Sequence, residues 1–270
     1  MSRPPVALTI AGSDPSGGAG IQADLKTFSA LGAYGTTVIT ALTVQNTQGV
    51  FGVHVVPTEF VVQQLETLVA DVHLDAIKIG MLANAETVEA VASFLRAHPC
   101  DAIVLDPVMI ATSGDRLLAA DALSAMRGLV PAASIVTPNL AEAAALLGCE
   151  PAANPGQMLD QARGLLGLGA RRVLLKGGHL DGGNTMIDVF AGPEGEHELS
   201  APRIETTNTH GTGCTLSSAL AALRPRRADW LVTAREAKAW LTGALAAADE
   251  LEVGHGHGPV HHFHAVWPQP

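Results

Sequence analysis

Short apolar runs alternate with amphipathic stretches along most of the chain. The apolar runs are rich in β-branched residues and end at glycine or polar residues, as strands of a buried sheet do. They predict strands at residues 6–10, 37–44, 50–56, 76–79, 102–105, 134–136, 172–175, 185–190 and 196–201. Between them, apolar residues recur every three or four positions, which is the spacing of a helix with one buried face. This spacing predicts helices at residues 21–31, 60–72, 88–95, 119–129, 140–147, 157–168, 216–223 and 234–251.

The alternation of strand and helix is typical of a parallel sheet with helices packed on both faces. A closed barrel would need eight regular repeats, whereas here the alternation gives way to an antiparallel pair at residues 185–190 and 196–201. We therefore expect an α/β fold with an open, doubly wound, mostly parallel sheet and small antiparallel additions. No Pro/Ser-rich linker or block of charge divides residues 1–270, which we expect to form a single domain.

The six strands predicted to be parallel are each followed directly by glycine, polar residues or a methionine. These positions are Gly12, Gln45, Met81, Asp106, Asn139 and Lys176. The carboxyl ends of parallel strands share one edge of the sheet, and ligands of open α/β proteins bind at that edge. The sequence therefore predicts a small-molecule site there.

Residues 206–218 (TTNTHGTGCTLSS) bring two glycines and a cysteine to the start of a predicted helix. Backbone N–H groups and the helix dipole make such a start an anion site, and a thiol there is expected to have a lowered pKa. An anion site beside a proton acceptor is what phosphoryl transfer to a hydroxyl requires. The alternative is a simple turn before a packed helix, with Cys214 as a small buried apolar residue. The glycine-rich loop at residues 11–20 matches neither a dinucleotide fingerprint nor a Walker motif.

Composition narrows the classes of protein further. The 270 residues are 47% hydrophobic, which is enough for a large core, and the net charge of −10 argues against a nucleic-acid partner. Three widely spaced cysteines fit a reducing compartment better than a disulfide framework. The chain shows no secretory signal and no apolar run long enough to span a membrane. We expect a soluble cytoplasmic protein.

Eight stretches resemble the hydroxymethylpyrimidine/phosphomethylpyrimidine kinases of thiamine biosynthesis, within the ribokinase-like superfamily. They are ALTIAGSDPSGGAG at 7–20, TALTVQNTQG at 40–49, IKIGML at 77–82, VLDPVM at 104–109, TPNLAE at 137–142, KGGH at 176–179, HGTGC at 210–214 and GHGPVHHF at 256–263. The resemblance covers nearly the whole chain. It implies a ribokinase-like sandwich, the use of ATP with Mg²⁺, a homodimer, and phosphorylation of the pyrimidine to its monophosphate and then to its diphosphate.

The resemblance also implies roles for the residues that surround the transferred group. Gly211, Thr212 and Gly213 match the anion hole for the phosphoryl group, and Cys214 matches the position of the catalytic base. Sugar kinases of the superfamily have an aspartate at that position.

At the acceptor end, Gln45 matches the residue that hydrogen-bonds the pyrimidine. A carboxamide suits an aminopyrimidine edge because it offers both a donor and an acceptor. Four further residues match neighbours of the pyrimidine pocket, although each could equally be structural: Gly12, Asp24, Met81 and Val108.

At the nucleotide end, Asn139 and Glu142 match an Asn-x-x-Glu element that acts on Mg²⁺ through water and orders the phosphates. The alternative from the residues alone is an N-cap asparagine with a first-turn glutamate. Asp106, Lys176 and Thr212 lie where the family has groups close to the ATP phosphates and the metal.

Five histidines near the end of the chain, at 255, 257, 261, 262 and 264, do not have the spacing of a zinc motif. Their match to the GHGPVHHF motif accounts for them better than a metal site does.

Two other functions remain open at this stage. A pyridoxal/pyridoxine kinase has the same chemistry and a similar acceptor, although Gln45 and Met81 favour the pyrimidine. A non-catalytic ligand-binding protein of the same fold is disfavoured because the anion-hole and Asn-x-x-Glu motifs are intact.

Overall fold

The computed structural model describes residues 3–109, 119, 122–178, 180 and 183–267. Its strands are β1 (Val6–Ser13), β2 (Tyr34–Asn46), β3 (Gly49–Val55), β4 (Ala76–Ile79), β5 (Ile103–Leu105), β6 (Ile135–Val136), β7 (Val173–Leu175), β8 (Thr185–Gly192) and β9 (Gly195–Pro202). Its α-helices are α1 (Gly20–Ala30), α2 (Thr58–Val69), α3 (Ala85–Ala97), α4 (Leu123–Leu129), α5 (Leu140–Leu147), α6 (Pro155–Gly167), α7 (Thr212–Leu223) and α8 (Trp230–Ala246). None of the described helices is both long and apolar enough to cross a membrane.

All nine strands form one sheet in the order β3-β2-β1-β4-β5-β6-β7-β8-β9. The central strands from β2 to β7 are parallel, whereas β3, β8 and β9 pair antiparallel at the two edges. The predicted open, mostly parallel sheet with small antiparallel additions is therefore confirmed. The six parallel strands bring their carboxyl ends to one edge.

Side chains alternate between the two faces of the central strands. Leu8 and Ile10 pack into a core shared with α2 to α6, and Ala7 packs into a second core shared with α1, α7 and α8. The hydroxyl of Thr9 points to the second face, where it donates to Asp24 of α1. Burial on both faces explains why these strands read as apolar runs rather than as alternating ones.

Several predicted boundaries differ from those in the structure, and the largest differences concern α8 and α4. Helix α8 begins at Trp230 instead of residue 234 because Asp229 caps it, accepting from the N–H of Val232. It ends at Ala246, and a separate 3₁₀ turn covers Ala248–Leu251. The helix predicted at 119–129 begins at Leu123, and the residues from 110 to 118 lie outside the described part.

Gly12 and Gln45 also lie inside strands rather than after them. Strand β2 extends to Asn46 because β3 pairs with its far half, opposing Gln45 to Val50. Both residues still lie at the carboxyl-terminal ends of their strands, so the predicted edge is unchanged.

Candidate active site

A cleft of about 980 Å³ runs along the carboxyl-terminal edge of the sheet. It brings together almost all of the residues singled out in the sequence: Gly12, Gln45, Met81, Asp106, Val108, Asn139, Glu142, Lys176, Gly211, Thr212, Gly213 and Cys214. Those residues come from six strand ends and from the starts of α5 and α7. The edge of the sheet where a ligand site was predicted therefore carries one cavity, which these residues line.

The start of α7 presents unpaired backbone donors to this cleft. Gly211 is the N-cap with φ +77°, and no side chain caps the helix. A side chain at Gly211 would overlap the carbonyl oxygen of Gly18, at 1.8 Å, so only glycine fits. The first N–H groups of a helix have no partner within the helix. The N–H of Thr212 donates instead to the carbonyl of Thr209 at 3.2 Å, whereas those of Gly213 and Cys214 are available to an anion. We call residues 211–214 the anion-binding turn.

A buried ion pair lies beside this turn. Nζ of Lys176 donates to Oδ1 of Asp106 at 2.8 Å, and a Cβ built on Gly213 would lie 3.2 Å from that ammonium. Burial alone would raise the pKa of Asp106, but Lys176 and Lys78 outweigh it and hold the pKa below its ordinary value. Burial would lower the pKa of Lys176, but Asp106 and Glu142 raise it. Both groups are therefore charged, and the ammonium faces the helix start.

The pKa of the Cys214 thiol differs from the predicted one. Burial raises its pKa to about 11, and the nearby Lys78 ammonium only partly offsets this effect. Asp24 and Asp106 add to the increase, while an N–H from Gly20 opposes it. The prediction of a lowered pKa is wrong for the ligand-free protein because desolvation of the thiolate outweighs the helix dipole.

Asp24 lies behind the cleft and not among the described residues that line it. Its carboxylate is fully buried, where it accepts two bonds from Nζ of Lys78, at 2.8 and 2.9 Å, and one from the hydroxyl of Ser218. Asp24 was expected beside the pyrimidine pocket; in the structure its carboxylate contacts Lys78 and does not itself line the cleft. Lys78 itself reaches the cleft, and a side chain at Gly80 would come within 2.8 Å of its ammonium.

The end of the cleft nearest β1 and β2 has a polar edge. The hydroxyl of Thr43 lies 3.1 Å from Oε1 of Gln45, whereas Nε2 of Gln45 lies 3.4 Å from Nε2 of His210. His210 in turn pairs with Asp14 at 2.8 Å, and that ring nitrogen is committed to the carboxylate. The amide N–H groups of Gln45 therefore keep the capacity to donate to a ligand.

The carboxylate of Asp14 organises the loop before α1. It accepts from His210, Ser16 and the N–H of Ala19. Burial would raise its pKa, but these bonds lower it to about 2. The hydrogen bond between Asp14 and His210 ties the glycine-rich loop to the residue that precedes Gly211.

Asn139 and Glu142 form a capping box at the start of α5. Oδ1 of Asn139 accepts from the N–H of Glu142 at 2.9 Å, and the Glu142 carboxylate accepts from the N–H of Asn139 at 2.8 Å. The structural alternative considered for this pair is thus present. It does not remove the pair from the cleft, which both residues line.

Glu142 carries an electrostatic signature of its own. Burial raises its pKa to about 7, Lys176 opposes the shift, and Asp106 adds to it. Burial disfavours the ionised carboxylate more than Lys176 stabilises it. A further cation at this point would therefore stabilise the ionised form. Together with Asp106 it offers the hard oxygen ligands that Mg²⁺ prefers.

The far end of the cleft contains a second buried ion pair. Nζ of Lys238 on α8 donates to Oδ2 of Asp188 on β8 at 2.6 Å, and Oδ1 of Asp188 accepts from the N–H of Gly177 at 2.9 Å. The pair therefore ties α8 to the segment that follows Lys176.

Sequence reasoning missed Lys78, Lys238 and His210 as members of the cleft. Lys78 had a readable signal, since it is the only polar residue of the four in AIKI. His210 belongs to the HGTGC motif but was given no role. Lys238 lies within α8, and nothing in the local sequence pattern indicated that it would reach the cleft.

Comparisons with known proteins agree with this geometry. The sequence profile of the family described as phosphomethylpyrimidine kinase matches residues 14–261. The hydroxymethylpyrimidine/phosphomethylpyrimidine kinase of Escherichia coli K12 is 59% identical over 262 residues, covering 97% of this chain and 98% of that protein.

Two solved structures superpose over most of the chain. Phosphomethylpyrimidine kinase from Clostridium difficile 630 gives a TM-score of 0.79 at 39% identity, covering 89% of this chain and 99% of that one. The ADP complex of Bacillus subtilis pyridoxal kinase gives 0.88 at 34% identity, covering 96% and 97%.

Proposed function

Because the chain belongs to the phosphomethylpyrimidine kinase family, we propose that it is a bifunctional kinase of thiamine biosynthesis. It transfers phosphoryl from ATP to 4-amino-5-hydroxymethyl-2-methylpyrimidine, and then from a second ATP to the resulting monophosphate. One structural observation carries the proposal: the uncapped start of α7 meets an ammonium and a thiol at one point of the cleft.

The acceptor binds at the Gln45 end of the cleft. The amide of Gln45 pairs with the polar edge of the ring, while Met81, Val108 and the backbone of Gly12 form the apolar walls. A Cβ at Gly12 would lie 3.0 Å from the sulfur of Met81, so glycine here leaves the width that a flat ring needs. This arrangement points the hydroxymethyl group towards Cys214.

Transfer takes place at the start of α7. The N–H groups of Gly213 and Cys214 and the Lys176 ammonium stabilise negative charge on the phosphoryl oxygens. As the acceptor oxygen bonds to phosphorus and the bond to ADP breaks, the thiolate of Cys214 takes the hydroxyl proton. Because burial raises the pKa of the thiol to about 11 in the ligand-free protein, the thiol carries its proton at neutral pH until the ligands bind.

The second step makes a weaker demand on Cys214. Its acceptor is a phosphate oxygen that is largely deprotonated at neutral pH, since the second pKa of a phosphate monoester is about 6. It needs positive potential, which Lys176 and the backbone donors supply. One site can therefore serve both acceptors.

ATP occupies the part of the cleft beyond Lys176, which Gly178 and Lys238 also line. Asp106 and Glu142 would hold Mg²⁺, with Asn139 acting through water. When bound, the ion neutralises charge on the phosphates. The raised pKa of Glu142 and the hard oxygen donors support this assignment.

The same proposal extends to organisation. Residues 1–270 form one domain, supported by the single sheet to which all nine strands belong. The protein acts in the cytoplasm, in keeping with three free cysteines.

It forms a homodimer through the hairpin of β2 and β3. Exposed apolar side chains lie on both faces of this hairpin, among them Val44, Phe51 and Val53. Strand β3 is also the terminal strand of the sheet, and apolar edge strands are usually covered.

The deciding experiment is steady-state turnover of the purified chain with Mg·ATP and each acceptor in turn: the hydroxymethylpyrimidine, its monophosphate and pyridoxal. We expect monophosphate from the first and diphosphate from the second. Absence of diphosphate would reject the bifunctional proposal. A kcat/KM for pyridoxal above that for the pyrimidine would favour the alternative function, pyridoxal kinase. The structural similarity to the B. subtilis pyridoxal kinase is the reason to include pyridoxal in the assay.

A further inference from the structure

The chain that follows α8 returns to the cleft and crosses behind it. Glu252 and Gly254 have φ of +46° and +76°, which reverses its direction. Gly256 then lies against the turn between β2 and β3: its N–H donates to the hydroxyl of Thr47 at 3.2 Å, and a side chain there would lie 2.1 Å from the Thr47 carbonyl oxygen. Thr47 is two residues beyond Gln45.

The same segment next pairs with the residues that precede the anion-binding turn. The carbonyl of Gly258 accepts from the N–H of His210 at 3.0 Å, and its N–H donates to Oδ1 of Asn208 at 3.1 Å. His210 and Pro259 form a parallel bridge. The backbone immediately before Gly211 is thus held by the chain terminus.

The third contact lies on the other side of the turn. Nε2 of His262 is 3.1 Å from Oγ1 of Thr215, the residue after Cys214. His262 is 3% exposed and Thr215 is fully buried. The N–H of Thr215 donates to the carbonyl of Gly211 at 2.8 Å, which closes the first turn of α7.

We propose that His262 is a positioning residue for phosphoryl transfer, acting through Thr215 to fix the turn formed by residues 211 to 214. The inference rests on the function proposed above. His262 lies behind the turn and contacts the residue that closes it, while Gly258 anchors the approach and Gly256 anchors the end of β2. The terminal segment thereby fixes the distance between the ring-binding amide and the anion-binding turn.

Such a role is expected to affect turnover more than acceptor binding. Transition-state stabilisation depends on backbone donors placed within tenths of an ångström, and a shift of about 1 Å can lower the rate roughly a hundredfold. Gln45 is held by β2 itself, so loss of the His262 contact leaves the ring-binding edge in place.

The test uses two pairs of variants in the full chain. His262→Leu and Thr215→Val remove the hydrogen bond but keep a similar volume. His262→Gln and Thr215→Ser retain a donor or hydroxyl at the same point. His255→Ala is the matched control, since His255 is an exposed histidine of the same segment.

We expect kcat to fall roughly tenfold to a hundredfold in His262→Leu and Thr215→Val, with the KM for the pyrimidine changed less than about threefold. The conservative variants and His255→Ala should stay within about threefold of wild type. The double variant His262→Leu/Thr215→Val should be no slower than the slower single variant, because both remove one contact. Additive losses, or losses that the conservative variants do not rescue, would overturn the proposal.

Hydrogen–deuterium exchange provides a readout that does not depend on activity. The hydrogen-bonded amides of Thr215 and Leu216 in ligand-free His262→Leu should exchange at least about tenfold faster than in wild type, while those of β4 are unchanged. Unchanged exchange in α7 would also overturn the proposal. If wild type fails to phosphorylate the pyrimidine, the proposed function fails, but the exchange result still decides whether His262 orders the turn.

Discussion

The Lys78 ammonium is bound by both carboxylate oxygens of Asp24, and both side chains are fully buried behind Cys214. Burial would lower the pKa of Lys78, but the adjacent carboxylate raises it above its ordinary value. The ammonium is therefore charged beneath the thiol, and among the described residues Asp24 is the carboxylate that contacts it.

Replacing Asp24 should lower the stability of the folded protein. Asp24→Asn leaves the Lys78 ammonium buried without a negative partner, at a cost of about 3–5 kcal/mol in the free energy of unfolding. Urea denaturation measures the loss. The double variant Asp24→Asn/Lys78→Met should regain part of it, since no unpaired charge remains. A wild-type unfolding midpoint in Asp24→Asn would show that Lys78 has another compensating partner.

Cys214→Ala should lower turnover of the hydroxymethylpyrimidine by about two to four orders of magnitude, with pyrimidine binding nearly intact. Turnover of the monophosphate should fall less, because that acceptor needs little proton abstraction. The two steps are assayed separately in wild type and variant. Equal losses would make Cys214 a positioning group, and near-normal turnover would reduce it to a packing residue.

The wild-type first step should also accelerate as pH rises above neutrality. The thiol pKa of about 11 means that the thiolate fraction grows about tenfold per pH unit in this range.

Gln45→Leu should weaken pyrimidine binding by roughly 1–3 kcal/mol, since the polar ring edge would lose its partner in a buried pocket. ATP binding should be almost unchanged. Titration calorimetry with each ligand measures both, and Gln48→Leu, an exposed glutamine of the same hairpin, is the control. If both ligands weaken equally, Gln45 supports the fold instead of selecting the ring.

The ligand-free protein should lose stability through Glu142 as pH rises. Its pKa is raised from 4.5 to about 7 in the folded state, so between these values the folded state binds more protons than the unfolded chain. Linkage then makes the free energy of unfolding fall across this window, by up to roughly 3 kcal/mol.

Glu142→Gln keeps the capping box and should abolish that decrease, so the stability difference between variant and wild type should grow from pH 4.5 to 7. Thermal denaturation across this range measures it. A difference that does not vary with pH would mean that Glu142 titrates normally.

The proposed dimer predicts that Phe51→Asp raises the dimer dissociation constant about thirtyfold or more. Phe51 is 68% exposed in the isolated chain, and Val232 on α8, 41% exposed, provides the control variant Val232→Asp. Sedimentation velocity over a concentration series measures the dimer dissociation constant of both variants. Dissociation by both variants, or by neither, would argue against this interface.

The periodicity of apolar residues predicted the strands and helices well where short-range sequence signals determine their ends. The bounds of β4 and α5 match the prediction at both ends, because a short apolar run and an asparagine cap are local signals. The shared edge followed from strand direction alone.

What the sequence could not supply were contacts between distant residues. Asp24 and Lys78 are 54 residues apart, and neither pattern nor spacing indicated that they pair. The sign of the Cys214 pKa shift depends on the depth of burial set against the helix dipole, and only packing determines that depth. The resemblance named Asp24 as a pocket neighbour, whereas the geometry puts Lys78 between Asp24 and the cleft.

Two consecutive serines of α7 hold carboxylates that come from different parts of the fold. Ser217 donates to Asp106 after β5, and Ser218 donates to Asp24 on α1. A helix that moved by one residue would turn through about 100° and lose both partners. The connection at residues 203 to 211 is therefore fixed in length, unlike most surface loops, which tolerate insertion. Adding or deleting one residue there would misalign two buried charges, and a random insertion library should recover no active member in that segment.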